Sequence, residues 1–252
     1  MMQGLHAVVT GAGQGIGAAI ARALAARGVR LSLLGRRIAP LQALAAELPR
    51  AAAIAADVTD PDALARAFAA ARERHGPVSI LVNNAGQAES APFGKTSRAL
   101  WQRMLDVNLS GSFHCMQQAL PDMLAAGQGR IVNIASTAGQ RGYAYVAAYS
   151  AAKHGVVGLT RSVALEVAAR GITVNAVCPG YTETEILHES IARVVATTGR
   201  SAAEARASFE RGNPQQRLVQ PQQVADAVLW LCGEGAGAVT GQCISISGGE
   251  VM

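Results

Sequence analysis

Aromatic side chains and charges are both scarce in this chain: 4% of its residues are Phe, Trp or Tyr and 15% are charged. A groove for single-stranded nucleic acid needs stacking platforms interleaved with basic residues. The net charge of +5 and the basic isoelectric point near 9.4 invite that reading. However, the arginines are scattered, with no block of five or six like charges, so anionic small molecules suit the charge as well as nucleic acid does. Cysteines number four, at 115, 178, 232 and 243, too far apart for a CxxC pair or a zinc pattern. They read as reduced core thiols, in keeping with a cytoplasm. No apolar run reaches the roughly 18 residues of a membrane span. The N-terminal MMQGLHAVVTGAG has neither a basic leader nor a cleavage site of the secretory kind. A low charge content with half the residues hydrophobic is the opposite of a disordered composition.

What is present is an alternation. Short apolar runs, His6–Thr10, Arg30–Leu34, Ala53–Ala56, Ser79–Asn83, Arg130–Ala135, Thr173–Val177 and Cys243–Ser247, read as strands. Near-continuous runs such as HAVVT and ILVN suit parallel strands covered on both faces. Between them lie helical stretches, among them Gly17–Arg27, Asp62–His75, Leu100–Leu124, Tyr149–Arg170 and Gln223–Leu231. This order predicts one α/β domain over residues 1–252: a Rossmann-like, doubly wound parallel sheet of about seven strands with helices on both faces. Neither repeats nor a compositional break divide it. The polar, helical segment 183–216 is longer than an ordinary connection and reads as a substrate loop or lid.

Four stretches carry chemistry. The first strand runs into 10-TGAGQGIG-17. Its glycines permit a tight turn at a helix N-terminus, where unpaired N–H groups suit a pyrophosphate. Gly13, Gly15 and Ala18 meet only the relaxed dinucleotide fingerprint; TGxxxGxG, through Gly11, Gly15 and Gly17 and enclosing Gln14 and Ile16, describes it better. The second strand ends in 35-GRR-37, where an acidic residue would favour NAD by binding the ribose 2′-hydroxyl. Arginine instead suits a 2′-phosphate and favours NADP, with NAD possible if Arg36 and Arg37 merely solvate a loop. Asp57-Val58 ends the third strand, placed either to meet an adenine amino group or to cap a helix. The stretch 83-NNAG-86 follows the fourth strand; Asn84, Ala85 and Gly86 would bring backbone close to a flat ring, or form an ordinary turn.

The fourth is 149-YSAAK-153. Tyr149 and Lys153 are four apart and share a helical face. An ammonium beside a phenol favours the phenolate and is expected to lower the tyrosine pKa, making Tyr149 a general acid or base near neutral pH. Ser136 ends the preceding strand, where its hydroxyl can bond a substrate oxygen. A surface Tyr/Lys pair with a strand-end serine is the plainer alternative.

Taken in order and spacing, TGxxxGxG, NNAG, Ser136, YxxxK and 179-PG-180 resemble the short-chain dehydrogenase/reductase family over essentially the whole chain. That resemblance implies Tyr149 as proton donor or acceptor, Ser136 orienting the substrate oxygen, and Lys153 holding the nicotinamide ribose. It implies that Asn108 holds a water in a proton relay, although Asn108 equally suits a helix-interior side chain bonded to backbone. It places Pro179, Gly180, Thr182 and Thr184 against the nicotinamide and implies a homotetramer paired through Leu100–Leu124 and Tyr149–Arg170. No metal is implied. One departure is Gln14, where many NADP users have a basic residue, which leaves the 2′-phosphate mainly to Arg36.

The stretch 169-ARGITVNAVCPG-180 is similar to that of 3-oxoacyl thioester reductases and 3-hydroxyacyl dehydrogenases. Arg193, Arg200, Arg206 and Arg211 in the lid segment would meet the phosphates of coenzyme A or a pantetheine carrier, or form a solvated face. A sugar, steroid or small secondary alcohol is the alternative substrate, since one scaffold serves many. A non-catalytic nucleotide-binding regulator is the alternative of another class, disfavoured by the intact Ser136, Tyr149 and Lys153.

Overall fold

The apolar runs form the expected sheet. In the computed structural model, which describes residues 2–252, seven parallel strands lie in the order β3-β2-β1-β4-β5-β6-β7. They are β1 (His6–Thr10), β2 (Arg30–Gly35), β3 (Ala51–Ala55), β4 (Ile80–Asn83), β5 (Gly129–Ile134), β6 (Ile172–Pro179) and β7 (Cys243–Ile246). The central strands β1 and β4 are buried throughout, which is why they carry no alternating polar positions. The strand order reverses between β1 and β4, and there a crevice opens at the carboxyl ends of the strands.

Helices α1 (Gly15–Ala25), α2 (Ile38–Glu47), α3 (Pro61–His75), α4 (Arg98–Leu105), α5 (Gly111–Ala126), α6 (Ala147–Val167), α7 (Glu185–Thr198), α8 (Ala202–Glu210) and α9 (Pro221–Cys232) complete the fold. One face of the sheet packs Ile20, Leu24, Leu41, Val224 and Val228 from α1, α2 and α9. The other packs Leu64, Phe68, Met116, Met123 and Ala164 from α3, α5 and α6. Local chemistry sets the ends. Asp60 accepts from the N–H groups of Asp62 and Ala63 at 3.0 Å, with Pro61 in the first turn of α3.

Two expectations change in detail. The stretch Leu100–Leu124 is not one helix: a π-helical turn over Asp106–Ser110 separates α4 from α5. The segment 183–216 is mostly α7 and α8, joined by a short turn that ends in a Ser201–Glu204 capping box.

Candidate active site

The residues selected from sequence lie at or beyond the ends of β1 to β6 and, for Asn108, Tyr149 and Lys153, on the helical segments between β4 and β6. Thr10, the last residue of β1, welds two of the loops. Its Oγ1 accepts from the N–H of Asn84 at 3.0 Å and of Ala85 at 2.9 Å. The Asn84 amide donates back to the carbonyls of Thr10 and Gly11, at 3.0 and 3.1 Å. Gly17 is required by this arrangement: a Cβ there would stand 2.6 Å from Asn84 Nδ2 and collide with the Gly11 carbonyl. Thus the glycine turn and the NNAG loop form one unit. Thr10 was quoted in the motif, but its role depends on a contact 74 residues away in sequence.

Around this unit, Gly11 and Gly15 both take positive φ, and Ile16 packs its side chain against the core under the α1 N-terminus. Gly15 lies opposite Thr184, the N-terminal flank of α7, whose Cγ2 would be 3.2 Å from a Cβ on Gly15. Arg36 is exposed beyond β2, and Arg37 donates to Gln14 Oε1. The sequence assigned the 2′-phosphate mainly to Arg36; the fold brings Arg37 back onto the glycine turn as well, through the residue that departed from the usual basic pattern. Asp57 Oδ1 accepts from the N–H and Oγ1 of Thr59 at 2.9 and 2.8 Å. Val58 is buried against Gly111. Past β6, Thr182 Oγ1 donates to the Gly180 carbonyl at 2.9 Å and Thr184 Oγ1 to the Thr182 carbonyl at 3.3 Å, fixing the turn after Pro179.

Lys153 is 4% exposed and donates from Nζ to the Ile134 carbonyl at 2.8 Å. Tyr149 lies one turn back on α6, with Nζ 5.6 Å from its ring centroid. Ser136 flanks β5; its Oγ accepts from the Ala138 N–H at 3.1 Å, and it stands near enough to the Tyr149 phenol to favour its ionised form. Asn108, fully buried in the π-helical turn, donates to the carbonyls of Gln87 and Met104 at 3.0 Å and accepts from the Gln87 N–H at 3.2 Å. A Cβ on Gly86 would stand 2.8 Å from Asn108 Oδ1 and 3.6 Å from Lys153 Nζ. Asn108 and Lys153 therefore both stand over the Gly86 backbone and leave no room for a side chain there. π-Helical turns recur at functional positions because they displace one side chain from the regular helical face.

The electrostatics differ from the sequence expectation. Burial pushes the Tyr149 phenol up to about 12, against the Ser136 hydrogen bond that pulls it down. Burial also lowers Lys153 to about 8. Loss of solvation dominates both groups, and the ammonium, 5.6 Å from the ring centroid, does not offset it. Tyr149 is thus a phenol at neutral pH, able to give a proton to an oxygen held beside Ser136.

The lid arginines also separate. Arg206 is held by Glu183 and, at 2.9 Å, by Glu210, so it is not free for a ligand phosphate, whereas Arg193, Arg200 and Arg211 lie on the same two helices and the turns beside them. Among the described residues there is no cluster of side chains suited to a metal and no helix long and apolar enough to cross a membrane.

A family model described as short chain dehydrogenase matches residues 5–194. The chain is 42% identical over 249 residues to a putative ketoacyl reductase of Streptomyces coelicolor, covering 96% of this chain and 95% of that protein. It is 39% identical over 250 residues to a D-beta-hydroxybutyrate dehydrogenase of Rhizobium meliloti, covering 96% and 97%. A solved structure of an actinorhodin polyketide ketoreductase variant with NADPH superposes with a TM-score of 0.95 at 40% identity, covering 99% of both chains.

Proposed function

The chain belongs to the short-chain dehydrogenase/reductase family and is an oxidoreductase; from that premise we propose that it reduces the ketone of a 3-oxoacyl thioester, or oxidises the corresponding alcohol, with NADP. The convergence of Ser136, Tyr149 and Lys153 on one point carries this reading. The ketoacyl reductase relative and the NADPH-bound structural neighbour support it.

The residues fit a dinucleotide. Gly17 allows the backbone-to-backbone approach of the first loop, and the opening of α1 offers free N–H groups to a pyrophosphate. Arg36 and Arg37 would hold the 2′-phosphate, with Gln14 orienting Arg37. Asp57 and Val58 would meet the adenine, Asn84 to Gly86 would bring backbone close to a flat ring of the dinucleotide, and Pro179, Gly180, Thr182 and Thr184 would meet the nicotinamide. The bound cofactor supplies the hydride. Tyr149 gives its phenolic proton to the substrate oxygen, which the Ser136 hydroxyl holds in line. Lys153 has donors left for ribose hydroxyls after its bond to Ile134, and its charge favours the phenolate that remains once the proton has gone. Asn108 positions Gln87 and the relay that returns a proton to Tyr149 from solvent.

The fold also supports a homotetramer paired through α4, α5 and α6, where Trp101, Phe113 and Leu165 stay exposed. Four unbridged cysteines suit a reducing cytoplasm. The test is absorbance of reduced nicotinamide with acetoacetyl-CoA and either NADPH or NADH, with Tyr149→Phe alongside. Oxidation with NADPH that disappears in the variant is the expected result. Turnover that survives Tyr149→Phe overturns the assignment, and turnover with NADH alone overturns the role of Arg36.

A further inference from the structure

In a chain with four tyrosines, four phenylalanines and two tryptophans, the placement of aromatic rings is informative. Only Phe68 among them is fully buried in the core. Three others stand together on three separate elements. Tyr143 lies on the loop before α6, Tyr181 on the turn after β6, and Phe209 on α8. Tyr143 and Tyr181 meet edge to face at 6.4 Å between centroids, and Tyr181 and Phe209 at 4.8 Å. Tyr181 follows the end of β6, whose neighbour β5 ends beside Ser136, and it remains 39% exposed. The rings are thus packed against each other, and Tyr181 keeps an open side at the same end of the sheet as Ser136.

The support behind them is charged but internally neutralised. Glu250, from the C-terminal tail, has a side chain only 2% exposed. Its Oε1 accepts from the Tyr143 hydroxyl at 2.7 Å and from Arg141 Nη2 at 3.0 Å. The Arg141 guanidinium also covers the Tyr143 ring at 4.6 Å from its centroid. Both charges therefore satisfy each other and leave no free charge beside the rings. Aromatic faces and edges reward a second flat ring beyond simple burial of its area, whereas an alkyl chain gains only the area.

We propose that Tyr143, Tyr181 and Phe209 are a specificity-determining wall that selects an uncharged planar ring bonded to the reacting carbonyl carbon over an open chain of equal carbon count, with Glu250 as the positioning residue that holds Tyr143. The inference rests on Tyr149 marking the reacting oxygen.

The test uses two 3-oxoesters that differ only there: ethyl 3-oxo-3-phenylpropanoate and ethyl 3-oxononanoate. Each is titrated calorimetrically into the full-length protein loaded with NADP+, which cannot reduce them. The wild type should bind the phenyl ester roughly tenfold more tightly. Tyr181→Leu should bring the two affinities together by weakening the phenyl ester alone, while Tyr181→Phe keeps the preference. Glu250→Gln should lessen the preference and leave binding of the hexyl ester unchanged. Equal affinities in the wild type, or an equal loss for both esters in Tyr181→Leu, would overturn the wall. Turnover with NADPH is measured separately. A ring preference in binding without reduction of either ester would refute the proposed activity and leave the wall intact.

Discussion

Acid should destabilise this protein through one buried histidine. His6 lies in the central strand β1 with no exposed surface. Its Nδ1 is 2.7 Å from the Gly76 carbonyl, which assigns the proton there, and its Nε2 is 2.9 Å from Ser32 Oγ. The ring of His75 stands 5.3 Å away. Burial first, opposed by the bond to Gly76 and aided by the neighbouring His75 and Arg30, lowers His6 to about 4 from 6.5. The sign follows from proton uptake. Above pH 6.5 neither the folded nor the unfolded chain binds this proton, so the group contributes nothing. Between 6.5 and about 4 the unfolded chain binds it and the folded chain does not, so stability falls as pH falls. Below about 4 the loss levels off. At 1.36 kcal/mol per pKa unit, the full loss is about 3 kcal/mol, of which about 2 kcal/mol is reached at pH 5. This is a large share of an ordinary stability of 5–15 kcal/mol. Urea unfolding followed by circular dichroism at pH 7.5, 6 and 5, at one protein concentration, measures it. His6→Gln removes the titration, so the loss from pH 7.5 to 5 should be smaller in the variant by about 2 kcal/mol. Equal losses in both proteins would refute the reasoning. The consequence reaches the site, because β1 runs directly into the glycine turn.

Three further outcomes are expected. Gly17→Ala should force Asn84 away from the Thr10 and Gly11 carbonyls, costing roughly 1–3 kcal/mol and weakening NADP binding at least about tenfold; unchanged cofactor affinity by fluorescence titration would contradict the welded loops. Ketone reduction should be level through neutral pH, since Tyr149 stays protonated far above it, and should decline above about pH 8 as Lys153 loses its proton. In Lys153→Arg that decline should move to higher pH, and a limb that stays in place would assign it to another group. Arg206→Ala should release Glu183, which the guanidinium holds at about 2. Limited proteolysis within 183–216 should quicken, while global stability changes by less than about 1 kcal/mol, because the pair is partly solvated; protection equal to the wild type would show that the clamp does not order the segment.

The strands, their alternation with helices along the chain and the motifs at their ends were legible because they are local. Apolar runs such as HAVVT mark strands covered on both sides, the glycines of 10-TGAGQGIG-17 mark a turn, and the four-residue interval of Tyr149 and Lys153 fixes a shared helical face. These features depend on backbone geometry within a few residues, so they survive reading one residue after another. The rest depends on what the folded chain brings together and removes from water. Thr10 meets Asn84 only when β1 and β4 lie side by side. Asn108 reaches Gln87 through a π-helical turn that periodicity reads as continuous helix. Arg37 returns to Gln14, and Arg206 is taken by Glu183, through contacts across the fold. Tyr149 and Lys153 illustrate the division most clearly. Sequence set their spacing, from which a lowered phenol pKa was expected, but tertiary burial reversed the direction, because the cost of desolvating a charge is set by everything around it and not by one neighbour four residues away.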